Sequence, residues 1–278
     1  MEAGLNKFQE FLYSLDVTYE GPDYDNKAGL VLTPGMRLSR KICRHYRDSL
    51  NNPLRFYGAW QQVPSSLRQF IRINSQETIE LDFKCCQPVL LFNLAGLDCW
   101  NEFPLGDTYT IAQYTLKIER EEERHDFRQF LKLVFARLCF DTQHTPDQIL
   151  HGLEPDISDY EESLSYGAPE NANNPTLGVV AKVVGKPVRD AVNDVVREYC
   201  SRFDVIPRKL MDWELLEREE SRITEEILAT CMEKNIPVLP IHDGYRTISI
   251  YHFQLRLIMV ESYRKITGQS NCDIKEES

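Results

Sequence analysis

Polar and apolar residues alternate along Thr78-Ile79-Glu80-Leu81-Asp82-Phe83. That period of two predicts a strand with Glu80 and Asp82 on one face. A second β signal lies at 237–250. There the apolar run Val238 to Ile241 meets His242-Asp243-Gly244 and then a β-rich stretch through Ile248, the pattern of a hairpin turning at Asp-Gly. Most of the remaining chain predicts helix: 1–50, a short buried helix from Gln87 to Leu97, then 108–140, 177–200, 207–234 and a closing helix at 251–267. Residues 54–83 are rich in aromatics and lead into the first acidic strand. Residues 141–176 predict an acidic loop, punctuated by Pro169-Glu170-Asn171-Ala172-Asn173-Asn174-Pro175. Internal repeats and a clear linker are absent from the sequence. The two acidic β segments stand about 160 residues apart with helices between them, so the pattern is a sheet interrupted by a helical insertion.

The chemistry this suggests starts from Asp82 and Asp243. A carboxylate at a hairpin tip beside one on a neighbouring strand is a place to hold divalent cations. Two such ions about 3.5–4 Å apart stabilise the attacking and leaving oxygens of a phosphoryl displacement. If the two strands are neighbours, the protein handles nucleotides, and Glu80 is available as a third carboxylate.

Composition narrows the classes. The 278 residues are 42% hydrophobic and 27% charged, those of an ordinary globular protein. Apolar runs fall short of the ~18 residues of a membrane helix. The opening Met1-Glu2-Ala3-Gly4-Leu5-Asn6-Lys7 lacks the basic and then apolar pattern of a signal peptide. The eight cysteines show no CxxC spacing, which predicts reduced thiols in a cytoplasmic protein without a zinc site. A net charge of −11 argues against nucleic-acid binding by bulk electrostatics. Locally, however, Arg37, Arg40, Lys41, Arg44, His45 and Arg47 recur at helical spacing. Acid concentrates elsewhere, in 119–123, 156–162, 214–226 and 273–277. A basic stripe on an acidic body fits a groove that follows a phosphate backbone. The plainer reading of the stripe is a solvated helix face.

Three segments, in order, resemble the polymerase motifs of the family A DNA polymerases and the related single-subunit phage RNA polymerases. Leu81-Asp82-Phe83-Lys84-Cys85-Cys86-Gln87 resembles motif A, an aspartate followed by an aromatic in the DNA-copying members. Phe127-Arg128-Gln129-Phe130-Leu131-Lys132, continuing to Phe140, resembles motif B. Ile241-His242-Asp243-Gly244-Tyr245 resembles motif C. The matching pieces cover about 30 residues. A fainter likeness to the family's Asp-x-x-Gly-Arg element puts Arg55 near primer or template, with Asn51 and Leu54 in place of its aspartate and glycine. The chain departs from the pattern in having Asp141 after Phe140, where glycine is usual. It also has Lys84, Cys85 and Cys86 where small polar residues are usual.

The resemblance implies an α/β fold of the α+β kind: a palm-like antiparallel sheet with a large helical fingers insertion and a reduced thumb. The expected divisions are a helical, thumb-like 1–53, palm at 54–100, fingers at 101–206 and palm again at 207–278. It implies a metal-dependent nucleotidyltransferase, foremost a minimal template-directed DNA polymerase. Asp82 and Asp243 would be catalytic and hold two Mg2+ or Mn2+ ions. Arg128 and Lys132, one helical turn apart and so on one face, would bind the triphosphate. Phe140, about 80° round the helix from Lys132, would position the nucleotide. Arg55, Arg40, Lys41, Arg44 and Arg47 would contact nucleic acid. Gln87, five residues after Asp82, would exclude a 2′-hydroxyl, and with Phe83 and Phe140 it favours deoxynucleotides. Ala136, where an aromatic is common, points the other way, and Gln87 is equally placed to begin the next helix. The expected partners are nucleoside triphosphates, a DNA primer–template or single-stranded nucleic acid, and an accessory replication or defence protein, with no membrane. Two other functions fit the same residues. One is template- or primer-independent nucleotide addition; the other is a non-catalytic nucleic-acid-binding regulatory module on a degenerate polymerase fold.

Overall fold

A computed structural model describes residues 2–26, 29–46, 53–140, 145–166, 174 and 176–277. The chain divides into two compact units, one formed by 1–86 with 216–278 and the other by 87–215. The architecture is mixed, with helices and a mainly antiparallel sheet.

The first unit opens with α1 (Glu2–Ser14) and then turns to strands: β1 (Val17–Tyr19), β2 (Tyr24–Asp25), β3 (Val31–Leu32), β4 (Met36–Arg37), β5 (Ile42–Tyr46), β6 (Pro53–Gly58), β7 (Ile71–Ile73) and β8 (Gln76–Phe83). The expected helix over 1–50 is therefore confined to α1. The basic residues at helical spacing mask a period-two burial pattern in Ile42-Cys43-Arg44-His45-Tyr46, where Ile42 and Arg44 are buried and Cys43 and His45 exposed. Alternation of this kind is a strand signal.

The second unit holds α2 (Cys86–Leu94, from its second residue), α3 (Ala112–Thr115), α4 (Glu121–Phe140), α5 (Pro146–Ser165), α6 (Thr176–Val184) and α7 (Val188–Ser201). Helix α5 corrects the expected acidic loop. Thr145 and Gln148 form a capping box with proline at the first helical position, a start signal written in Thr145-Pro146-Asp147-Gln148. Ile149, Leu153, Ile157 and Tyr160 then supply a buried stripe at helical spacing. The acidic residues between those positions, Glu154, Asp156 and Asp159, are half-buried, with Glu154 and Asp156 paired to Arg189 and Arg137, and they gave the segment its loop-like composition.

Helix α8 (Trp213–Glu233) contains the boundary at 215/216. It is followed in the first unit by β9 (Val238–Ile241), β10 (Gly244–Ile248), α9 (His252–Thr267) and β11 (Ile274–Glu277). The main sheet has the order β4-β1-β7-β8-β10-β9, with β11 also pairing β8, and all of these pairings are antiparallel. Two small sheets, β2-β3 and β5-β6, lie outside that order. On β8, Leu81 and Phe83 are buried, and Phe83 packs on Tyr263 of α9 with ring centroids 5.4 Å apart. Glu80 and Asp82 project from the opposite face, as alternation requires. Trp60 is fully buried and donates its indole N–H to the Pro240 carbonyl at 2.8 Å, so it belongs to the core and leaves no face for a nucleobase.

The core of the second unit is aromatic. Phe203 lies 5.4–5.7 Å from the rings of Phe92, Phe103, Phe135 and Tyr199. Among the described residues, no helix is long and apolar enough to cross a membrane. The eight cysteines are free, six of them buried. Phe203→Ala removes the ring these four neighbours share and is expected to cost about 3–5 kcal/mol. Urea denaturation checks this, and a midpoint equal to wild type would contradict the central place given to Phe203.

Candidate functional site

The β8–β10 register builds the site. Gly244 stands opposite Asp82, and Arg246 opposite Glu80. The hairpin loop between β9 and β10 is His242-Asp243, because Ile241 pairs with Gly244. Gly244, expected in the turn, is thus the first residue of β10. A Cβ there would sit 3.2 Å from the Leu81 carbonyl oxygen and 3.3 Å from Oδ1 of Asp82, so glycine lets the strands close beside the carboxylate. His242 takes the left-handed conformation with φ +56, as does Cys85 with φ +52 just beyond β8. Such positions cost on the order of 1 kcal/mol or more outside glycine and tend to persist where the surroundings enforce them.

Asp82, Asp243, Glu80, Arg68, Arg246, Ser65, Ile241, His242 and Glu277 line one cavity of about 220 Å³. Burial pushes the Asp243 carboxyl up to about 8, and the charges of Asp82 and Glu220 push the same way. Burial likewise raises Asp82 to about 6; Lys275 opposes the rise, while Glu277 and Glu80 add to it. The Lys275 ammonium lies 3.1 Å from Oδ2 of Asp82 and also pairs with Glu277. Burial alone would lower Lys275, but these carboxylates outweigh it and raise it above its ordinary value. Two half-buried carboxyls that resist sharing negative charge are a site at which a proton or a cation relieves the cost.

Glu80 is not a third ligand. Its Oε1 accepts from Arg68 at 3.2 Å and its Oε2 from Arg246 at 2.9 Å. Among the described residues, no group of three or more His, Cys, Asp or Glu side chains has metal-holding geometry. A two-carboxylate set nevertheless suits Mg2+, which keeps several waters and takes one or two protein carboxylates with the rest of its shell from substrate phosphate. Asp82 and Asp243 would be those carboxylates.

The residues assigned to nucleic acid have other partners. Arg55 donates to both carboxylate oxygens of Glu220, at 2.7 and 2.9 Å. Arg44 is buried, bonds Ser221 at 2.6 Å, pairs with Glu225 and covers the Phe56 ring at 4.6 Å. Arg40 donates to the Tyr13 and Leu15 carbonyls at the end of α1, at 2.7 Å each. Arg37 faces Asp16 at 3.3 Å. These residues sit on short strands and loops, so the expected helical stripe does not form. Lys41 is exposed and lines an open pocket with Tyr57, Gln62 and His242. Tyr57 stacks on His45 at 4.4 Å and meets His242 edge-on at 6.4 Å. Arg47, Asn51 and Asp141 lie outside the described residues.

In the second unit, Arg128 and Lys132 both reach the Tyr109 ring, at 4.9 and 5.6 Å from its centroid. Arg128 also pairs with Asp107 at 2.7 Å. Phe140 ends α4, is 72% exposed and leans on Trp213 at 5.7 Å. Gln87 sits in the first turn of α2.

Sequence reasoning missed Arg246, Arg68 and Lys275. Arg246 occupies the same strand face as Gly244, so the hairpin register carried the signal once β8 was taken as its neighbour. Lys275 was absorbed into an acidic run, although Ile274-Lys275-Glu276-Glu277 is too short for a period to show. Comparison with protein-family models and with curated proteins gives no match.

The raised Asp243 carboxyl has a consequence for stability. The fold favours its protonated form, so its contribution is present below the unfolded value of 3.8 and is lost as pH rises toward about 8. Asp243→Asn removes that loss. The variant is expected to melt higher than wild type at pH 8.5, by about 2–4 °C for each kcal/mol recovered. The gain should shrink toward pH 5. Calorimetry at both pH values checks it, and a gain independent of pH would refute the assignment.

Proposed function

We propose that this protein is a divalent-cation-dependent nucleotidyltransferase, most closely a minimal template-directed DNA polymerase of the family A type, with the β8-β10-β9 part of the sheet as its palm. The observation that carries the reading is the placement of Asp82, on β8, and Asp243, in the adjoining hairpin loop, in one cavity, where burial raises the proton affinity of both and the charge of Asp82 adds to the rise at Asp243. Motif-like segments around both residues, and around Arg128 and Lys132, support it.

In this reading Asp82 and Asp243 hold Mg2+ ions, which supply charge stabilisation to the attacking and leaving oxygens. The chain's own residues do the rest. Arg68 and Arg246 neutralise Glu80 and leave Asp82 and Asp243 as the available oxygen donors. Gly244 keeps the floor between the strands clear. Arg128 and Lys132, aligned over Tyr109, bind the triphosphate, and the exposed Phe140 stacks against the nucleotide. Gln87 disfavours a 2′-hydroxyl, so deoxynucleotides are the preferred substrates. A second reading, a non-catalytic nucleic-acid-binding module, draws on the Lys275 ammonium already seated against Asp82.

Primer extension separates the two readings. Wild type should incorporate nucleotides in Mg2+ or Mn2+ on a primed template. Asp82→Ala and Asp243→Ala should each lose several kcal/mol of transition-state stabilisation, about 10²–10³-fold or more in rate. Wild-type rates in both variants would refute the carboxylate assignment. No incorporation by wild type with any nucleotide set, with or without template, would favour the binding module.

Nucleotide choice is a separate test. Lys132→Ala should raise the nucleotide concentration needed for half-maximal rate more than it weakens primer–template binding, because its charge is assigned to the leaving phosphates. Gln87→Ala should narrow the preference for dNTPs over rNTPs. Parallel titrations with matched dNTP and rNTP check both. A selectivity unmoved by the Gln87 change would leave that residue as a helix starter alone.

A further inference from the structure

We infer that Lys275 is the resident counter-cation of the carboxylate pair, and that a divalent cation enters the site by exchanging with its ammonium group. The inference rests on the carboxylate-pair reading above and adds to it a residue outside the three motif-like segments. Strand β11 pairs with β8 so that Lys275 lies directly opposite Asp82 and Glu277 opposite Glu80. By alternation Lys275 and Glu277 share the cavity face, while Glu276 points the other way. Glu276 meets Nε2 of His252 at 2.7 Å and Arg256 at 3.7 Å, and Arg256 also donates to the Ile274 carbonyl at 3.0 Å. Lys84 N–H donates to the Asp273 carbonyl at 2.8 Å. The backbone of β11 is thus tied down on both sides of Lys275, and the exchange needs motion of one side chain only.

The lysine has two carboxylate partners, Asp82 and Glu277. When a cation takes Asp82, the ammonium keeps Glu277 and remains paired. An ammonium with one partner would instead be left exposed to the incoming like charge. Asp82 is the more buried member of the pair, its side chain 19% exposed against 46% for Lys275, so the lysine head has room to withdraw toward solvent. One ammonium leaves the aspartate as one dication arrives, so the site gains one unit of positive charge, which faces the second carboxylate, Asp243, in the same cavity; only ionic contacts are made or broken. The predicted effect is on cation affinity. Lysine competes with the metal, so removing its charge tightens metal binding.

The full chain and its Lys275→Met and Lys275→Gln variants are titrated with Mn2+ at fixed pH and ionic strength, with free Mn2+ read by electron paramagnetic resonance. Both variants are expected to bind about 2- to 5-fold more tightly than wild type, the range expected for removing a partly exposed ionic competitor. Glu277→Gln, which strips the lysine of its alternative partner, is expected to bind more weakly than wild type. Asp82→Ala should abolish the site in every background, with circular dichroism showing each variant folded. Equal affinity in wild type and both Lys275 variants, or weaker binding in them, overturns the exchange while leaving the carboxylate site standing. Mn2+ binding that is absent from wild type and from both Lys275 variants overturns the carboxylate-pair reading itself, and the exchange with it.

Discussion

The antiparallel register between β8 and β10 is the constraint on which the candidate site depends. With Gly244 opposite Asp82 and Arg246 opposite Glu80, one strand pair sets two relations at once. It brings the loop residue Asp243 to the cavity that Asp82 lines, and it neutralises Glu80. A slip of one residue would turn the side chains of one strand to the opposite face. Leu81 and Phe83 would then meet water, and Glu80 and Asp82 would enter the apolar layer beneath. Burial of Leu81, Phe83 and Tyr245 therefore enforces the same register that the charges require. Tyr245 adds a directional tie, its hydroxyl lying 2.8 Å from that of Thr224.

Buried charge in this unit is organised by pairing. Arg246 bonds Glu80, Arg55 grips Glu220 through two bonds, and Arg44 meets Ser221 and Glu225. A buried ion is costly unless it is paired and hydrogen-bonded, and these pairs supply partners from far away in the sequence, although the Nε of Arg246 finds none. Asp82, though paired with Lys275, and Asp243 are less fully compensated. Their carboxyls carry proton affinities above the ordinary range because of burial first, with Glu277 and Glu80 adding to the rise at Asp82 and Asp82 and Glu220 adding to that at Asp243. Raised carboxyl values of this kind occur at functional sites and also in structural charge networks.

The same pairing explains why the basic cluster at 37–47 misled a reading based on spacing. Residues at helical intervals are informative only when the chain is helical there. Here Arg40 closes the end of α1 and Arg44 is buried against α8. Both cations serve the fold, and their apparent stripe dissolves once the strands form. The acidic segment at 146–165 erred in the opposite direction. Its composition suggested a loop, while its capping box and buried stripe specify a helix.

What the sequence determined by itself is what local physics can encode. The alternation in 78–83, the hairpin at 238–248 and the closing helix α9 are each set by neighbouring residues and appear where the pattern places them. The same holds for Arg128 and Lys132, which share a helix face because four residues make about one turn. Tertiary structure alone decided which strands are neighbours. That choice made Asp82 and Asp243 line one cavity and removed Glu80 from the ligand set. It also spent Arg55 on Glu220 and set Lys275 beside Asp82. The reason is that these contacts join residues 166, 165 and 193 positions apart, from Glu80 to Arg246, Arg55 to Glu220 and Asp82 to Lys275. Such separations leave no periodic trace, because the partners are selected by burial and charge balance in the assembled sheet.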